Sequence, residues 1–188
     1  KRAQSIINSK KYHKKNLKYL NAPYKFYYSL FKKLKSKKSL LEIGAGTGEN
    51  TLRLIKMKFN ICATDISCKS VKVMKKKFFK YRNFFSKVAD MEKLPYKNNS
   101  FDIICGAGSL SYGDNKIVMT EIYRVLKPGG VLIIVDSLNN NPIYRFNRYL
   151  HYYKGNRSKS TLERIPDINL INKYIKKFGQ GKSWFFGS

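Results

Sequence analysis

Three glycines at alternate positions, Gly44, Gly46 and Gly48, follow the apolar run Leu40–Ile43 in L-L-E-I-G-A-G-T-G-E-N-T. The run reads as a buried parallel strand interrupted only by Glu42, and the glycines turn it sharply into a helix opening near Asn50. A main chain without Cβ atoms can take strained dihedrals and let a ligand lie against its N–H groups at a helix N-terminus. That is the chemistry of a nucleotide-type cofactor site. Two carboxylates add to it. Asp65, in A-T-D-I-S, can accept both hydroxyls of an adenosine ribose. Asp90, in V-A-D-M-E, offers an acceptor near the adenine amino group, with Met91 to pack on the ring. Glu49 stands where the dinucleotide fingerprint G-x-G-x-x-G needs its last glycine, so the G-x-G-x-G spacing turns the reading away from nicotinamide and flavin folds.

These residues must be gathered at one end of a sheet, and the chain is patterned to do so. Strands are predicted at Leu40–Ile43, Asn60–Asp65, Phe85–Ala89, Phe101–Gly106 and Val131–Asp136, the last introduced by a K-P-G-G turn at Lys127–Gly130. Helices at Thr51–Lys58, Ser70–Tyr81 and Lys116–Leu126 separate them. This alternation specifies an open, doubly wound, mostly parallel α/β sheet with helices on both faces, and a ligand at the carboxyl ends of the strands where their order reverses. Residues 1–37 carry helical spacing for two N-terminal helices, Pro23 starting the second. Residues 38–136 form the cofactor-binding core of a single domain, and 137–188 a helical lid, with a further helix at Ile168–Phe178 and a late strand at Lys182–Phe186. A final antiparallel hairpin is expected there, incomplete at the end of the chain.

Thirty-nine Lys and Arg against 11 Asp and Glu give a net charge of +28. The positive field suits nucleic acid, anionic lipid or phosphorylated substrates. Abundant Lys, Asn, Ile, Tyr and Phe also fit the amino-acid usage of an A/T-rich genome. The Lys75–Lys77 run reads as a solvated helix face. Cys62, Cys68 and Cys105 lack the spacing of a disulfide framework or a zinc site, so no metal is expected, and Cys62 and Cys105 read as small core residues. With no signal-peptide or membrane-span block, the cytoplasm is the expected location.

Together with L-P-Y-K-N-N-S-F-D-I-I at Leu94–Ile104 and E-I-Y-R-V-L-K-P-G-G-V-L-I-I-V-D at Glu121–Asp136, the chain resembles a class I S-adenosylmethionine-dependent methyltransferase of the small-molecule type, over about Leu40–Asp136. The resemblance implies a Rossmann-like methyltransferase fold with S-adenosylmethionine as cofactor. It implies that Gly44, Ala45, Gly46 and Gly48 approach the methionine part, with Glu42 at its ammonium. Asp65 then binds the ribose with Ile66 beside the adenine, Asp90 and Met91 recognise the base, and Ala107 and Gly108 meet the methionine amine through the main chain.

Methyl transfer is an in-line displacement, and a hydroxyl nucleophile benefits from a general base. His151 and Asp114 are the base candidates, His13 a weaker third, while Glu92 reads as a loop charge. Tyr112 follows the fourth strand as a pocket residue. The segment after the fourth strand reads A-G-S-L-S-Y, without the proline motifs of enzymes that methylate nucleic-acid bases. The segment from Asp136 to Pro166 resembles bacterial methyltransferases found with surface-polysaccharide or specialised-metabolite genes. The expected partner is a small-molecule acceptor, O-methylated and anionic, with Arg145, Arg148, Arg157 and Arg164 able to fork onto phosphate or carboxylate. RNA methylation, motivated by charge and by the aromatic–basic run from Tyr144 to Lys159, and a non-catalytic binding subunit are the alternatives.

Overall fold

Alternate residues of the central strands point to opposite faces, and both sets are fully buried. A computed structural model describes residues 21–186 apart from 37, 141, 156 and 157. Its sheet contains β1 (Ser39–Ile43), β2 (Asn60–Asp65), β3 (Phe84–Val88), β4 (Phe101–Ala107) and β5 (Leu126–Val135), in the order β3-β2-β1-β4-β5. Every neighbouring pair is parallel. Leu40, Ile103 and Cys105 face one helical layer, built by α1 (Asn21–Phe31), α2 (Thr51–Lys56) and α3 (Cys68–Phe78) through Tyr27, Phe31, Leu54, Met74 and Phe78. Leu41, Ile43 and Ile104 face the other, where α4 (Asn115–Val125) contributes Val118, Ile122 and Val125. Burial on both faces explains why the strands are continuous apolar runs.

Beyond β5 come α5 (Pro142–Tyr153), α6 (Lys159–Glu163) and α7 (Ile168–Phe178). The first expected N-terminal helix and His13 lie outside the described residues. Boundaries differ where the backbone leaves helical geometry. Helix α2 ends at Lys56 because Lys58 takes φ 64° to turn into β2. Helix α3 starts earlier than expected because Ser67 caps it, accepting the Ser70 N–H at 3.3 Å.

Two expectations are corrected. The K-P-G-G turn lies inside β5 as an irregularity: between the pairs Phe101–Leu126 and Ile103–Val131, β5 advances five residues while β4 advances two. Gly129 takes φ 71° there. Residues 182–186 form no strand. Their aromatic rings pack on a helix instead, Trp184 and Phe186 lying 4.9 and 5.5 Å from the Phe26 ring of α1. No antiparallel hairpin is present among the described residues. Cys105 is buried and Cys62 half-buried, its sulfur 3.0 Å from the Tyr96 hydroxyl. Lys75–Lys77 are exposed as expected, Lys77 pairing with Glu49 at 3.0 Å. No described helix is long and apolar enough to cross a membrane.

A polar clamp aligns the start of the sheet. Asp102 on β4 accepts the Ser39 N–H and hydroxyl of β1 at 2.9 and 2.6 Å and pairs with Lys127 of β5 at 3.0 Å. Chiefly the Ser39 hydroxyl holds its carboxyl down at about 2.

Candidate functional site

Strand order reverses between β1 and β4, whose chains leave the sheet in opposite directions and open a crevice at the carboxyl end. The loop after β1 is pinned to that crevice. At Gly44, a Cβ would stand 2.6 Å from the Ser109 Cβ, so this glycine lets the loops after β1 and β4 close on each other. Gly48 does the same toward α3, where a Cβ would meet the Phe78 ring at 2.5 Å. Gly46, between them, has nothing within 4 Å on its Cβ side, and neither has Gly108 after β4. The glycines therefore divide into two that permit close packing and two that leave an open cradle.

Asp65, at the end of β2, reaches into this loop. One carboxylate oxygen accepts the Gly46 N–H and the other the Ser67 N–H, both at 2.8 Å. A carboxylate has about four acceptor positions, so two remain for a ligand's hydroxyls. Ile66 beside it is 71% exposed, a large apolar side chain offered at the rim. Asp90 is exposed and accepts the Glu92 N–H at 2.9 Å. Met91 is half-buried, its sulfur 3.3 Å from where a Gly113 Cβ would stand. Ala45 donates its N–H to the Thr64 carbonyl, and Gly108 donates to the Val135 carbonyl.

Glu42 lies beneath the loop, fully buried, and accepts the Thr51 hydroxyl at 2.6 Å. Burial pushes its carboxyl up to about 7 against the opposing effect of that hydrogen bond. With the folded value above the unfolded one, the unfolded chain loses this proton first, so Glu42 lowers stability as pH rises from about 4.5 to 7. A cation held at the loop favours the carboxylate and tightens over the same window. S-adenosylmethionine affinity is therefore expected to fall as pH drops below about 7, by up to about tenfold per unit, and Glu42→Gln to flatten the profile. Calorimetric titration between pH 5.5 and 8 reads this; an unchanged wild-type affinity would separate Glu42 from the ligand's ammonium.

The base candidates are not brought together. Asp114 caps α4, one of its carboxylate oxygens accepting the Lys116 and Ile117 N–H groups at 2.9 and 3.4 Å. His151 is exposed on α5, and Tyr112 is 61% exposed on the 3-10 turn Leu110–Tyr112. Arg145 is exposed, Arg148 donates to the Leu138 carbonyl at 2.9 Å, and Arg164 lies 3.8 Å from Glu92. Arg157 lies outside the described residues.

Several positioning residues escaped the sequence reading. Glu92, expected as a free loop charge, accepts the Asp114 N–H at 2.6 Å and ties the loop after β3 to the start of α4. Glu121 accepts the Leu94 N–H at 2.7 Å, while Arg124 donates to the Leu94 and Tyr96 carbonyls at 2.9 and 2.7 Å. The E-I-Y-R block thus holds the segment that carries Asp90 and Met91. Asp136 accepts the Leu110 and Ser137 N–H groups at 2.9 and 2.8 Å, and burial raises its carboxyl. The buried Ser109 hydroxyl, under Gly44, has no hydrogen-bond partner among the described residues. An open glycine cradle, a ribose-ready carboxylate and a buried acid for an ammonium fit S-adenosylmethionine.

Comparison with known proteins agrees. The methyltransferase domain family matches residues 41–134, half of the chain. The ubiquinone/menaquinone biosynthesis C-methyltransferase UbiE of Wigglesworthia glossinidia brevipalpis is 34% identical over 119 residues, covering 60% of this chain and 47% of that protein. The demethylmenaquinone methyltransferase of Chlorobaculum parvum is 29% identical over 166 residues, 78% of this chain and 67% of its own length. The chain thus spans about half to two thirds of these relatives. In fold it is similar to the YcgJ protein of Bacillus subtilis, with TM-score 0.68 at 20% identity over 82% of this chain and 68% of that one. An S-adenosylmethionine-dependent methyltransferase of Aquifex aeolicus gives 0.62 at 21% identity over 84% and 78%. The chain belongs to the methyltransferase domain family of class I S-adenosylmethionine-dependent methyltransferases.

Proposed function

We propose that the chain holds S-adenosylmethionine in the crevice between β1 and β4 and directs its methyl group to a ring carbon of a small aromatic acceptor of the hydroquinone type. The observation that carries the donor half is the Asp65 carboxylate, which fixes the open Gly46 face and keeps acceptor positions for a ribose. The acceptor half is supported by the relatives named for ubiquinone, menaquinone and demethylmenaquinone methylation. When bound, the cofactor supplies an electrophilic methyl on a sulfonium, so the protein's task is alignment and exclusion of water. Glu42 and the glycine loop orient the donor end, Ile66 covers the base, and the turn bearing Tyr112 borders the acceptor side.

A carbon acceptor suits the side chains at this crevice. A hydroquinone hydroxyl loses its proton far more readily than a sugar hydroxyl, and its ring carbons become electron-rich as it does. The bound cofactor would supply the methyl carbon, and the hydroxyl and ring protons would pass to water. A sugar hydroxyl would ask for a positioned base, whereas Asp114 is engaged in its cap and His151 is exposed. O-methylation of an anionic sugar would also ask the arginines to meet, and Arg148 and Arg164 are turned to Leu138 and Glu92.

The test is methyl-labelled cofactor offered with a short-chain demethylmenaquinol, a pool of nucleotide sugars, and RNA in parallel. Label is expected in the quinol, on carbon. Label in the sugars alone would replace this acceptor with the O-methylation reading, and label in RNA alone would establish the nucleic-acid one.

A further inference from the structure

The helix after β5 carries an apolar stripe that the rest of the described chain leaves substantially exposed. Phe146, Tyr149, Leu150 and Tyr153 of α5 are 67%, 45%, 39% and 80% exposed. Their spacing, i, i+3, i+4 and i+7, places all four on one face of the helix. On another side, Arg148 fastens the helix to the chain leaving β5 through the Leu138 carbonyl. The stripe therefore points away from the body on a helix that is anchored.

Charge specifies what covers it. From residue 137 to 162 the sequence contains no Asp or Glu and carries Arg145, Arg148, Lys154, Arg157 and Lys159, in a chain of net charge +28. We propose that α5 is an interfacial helix, its Phe146–Tyr149–Leu150–Tyr153 face entering the headgroup region of an anionic lipid bilayer while the exposed Arg145 and Lys154 meet the lipid phosphates. An apolar face beside a polar one rich in Lys and Arg is the pattern of helices that lie in a membrane surface. Juxtaposed basic residues add attraction to anionic lipids that salt screens. Single-stranded RNA would also meet the charge and stack on the rings, but Leu150, in the middle of the stripe, offers no π-face for a base. Helix α5 packs on α6, which packs on the turn bearing Tyr112. A bilayer against α5 would thus lie at the acceptor side of the crevice, giving an acceptor dissolved in lipid a short path to the site. Membrane binding through α5 does not depend on a quinol acceptor and goes beyond it.

The experiment is sedimentation of the chain with vesicles of phosphatidylcholine alone and of phosphatidylcholine containing roughly one third phosphatidylglycerol. Binding is expected to the anionic vesicles and to weaken as salt rises. Phe146→Ser/Leu150→Ser, both at exposed positions, is expected to lower partitioning by about tenfold or more. Its affinity for S-adenosylmethionine and its circular dichroism should match the wild type, which keeps loss of membrane binding apart from loss of the cofactor site. Failure of the wild type to bind anionic vesicles at low salt would overturn the proposal. So would equal binding by the double variant, or a stripe-dependent preference for RNA over vesicles in competition.

Discussion

Replacing Gly48 with alanine is expected to destabilise the fold by about 2–5 kcal/mol, lowering the melting temperature by roughly 4–20 °C. Two costs add at this position. The backbone sits at φ 81°, where an L-residue is strained by about 1–2 kcal/mol. The new methyl would also stand 2.5 Å from Phe78 Cε2 and 3.1 Å from Met74 Cγ. Both side chains belong to α3 and are buried, so relief requires the helix to shift, at about 1–3 kcal/mol. Gly46→Ala provides the internal comparison. Its φ is 58°, yet its Cβ would meet nothing within 4 Å, so only the strain should appear in stability. Thermal unfolding of both variants reads the difference, and equal losses would show that packing against α3 is not what Gly48 permits.

Asp65→Ala is expected to weaken S-adenosylmethionine binding by about 1.5–3 kcal/mol, on the order of 10- to 150-fold, if the carboxylate makes charged hydrogen bonds to the ribose. The substitution also frees the Gly46 and Ser67 N–H groups, so the loop loses its anchor together with the ligand contact. Asp65→Asn separates the two effects poorly. An amide presents one oxygen and one NH2, and the NH2 would face a backbone donor where the carboxylate now accepts from both. Weak rescue by Asn is thus the expected pattern, with affinities read by calorimetry and loop integrity by thermal unfolding.

The sheet was legible because both faces are covered: Leu40, Leu41 and Ile43 could only be a central strand, and β2 runs from Asn60 to Asp65 as its apolar pattern says. The glycine turn and the acid that ends β2 were legible for a related reason, since both answer to backbone geometry that spacing records. The segments that failed depend on partners distant in sequence. Lys182–Phe186 ends in three aromatic residues that read as a strand, but Phe26 offers its rings a better surface than a sheet edge. The K-P-G-G segment reads as a plain turn, whereas β4 continues to pair on both sides of it. Glu92, Glu121 and Arg124 bond main chain some 20 to 30 residues away, and no spacing rule announces such contacts.

The glycine cradle as an S-adenosylmethionine site is tested most directly by calorimetric titration of the wild-type chain with that cofactor, beside NAD. A single saturable site for S-adenosylmethionine is the predicted result, weakened by Asp65→Ala and insensitive to NAD. Absence of binding by the folded wild-type chain, or competition by NAD for the same site, would contradict it.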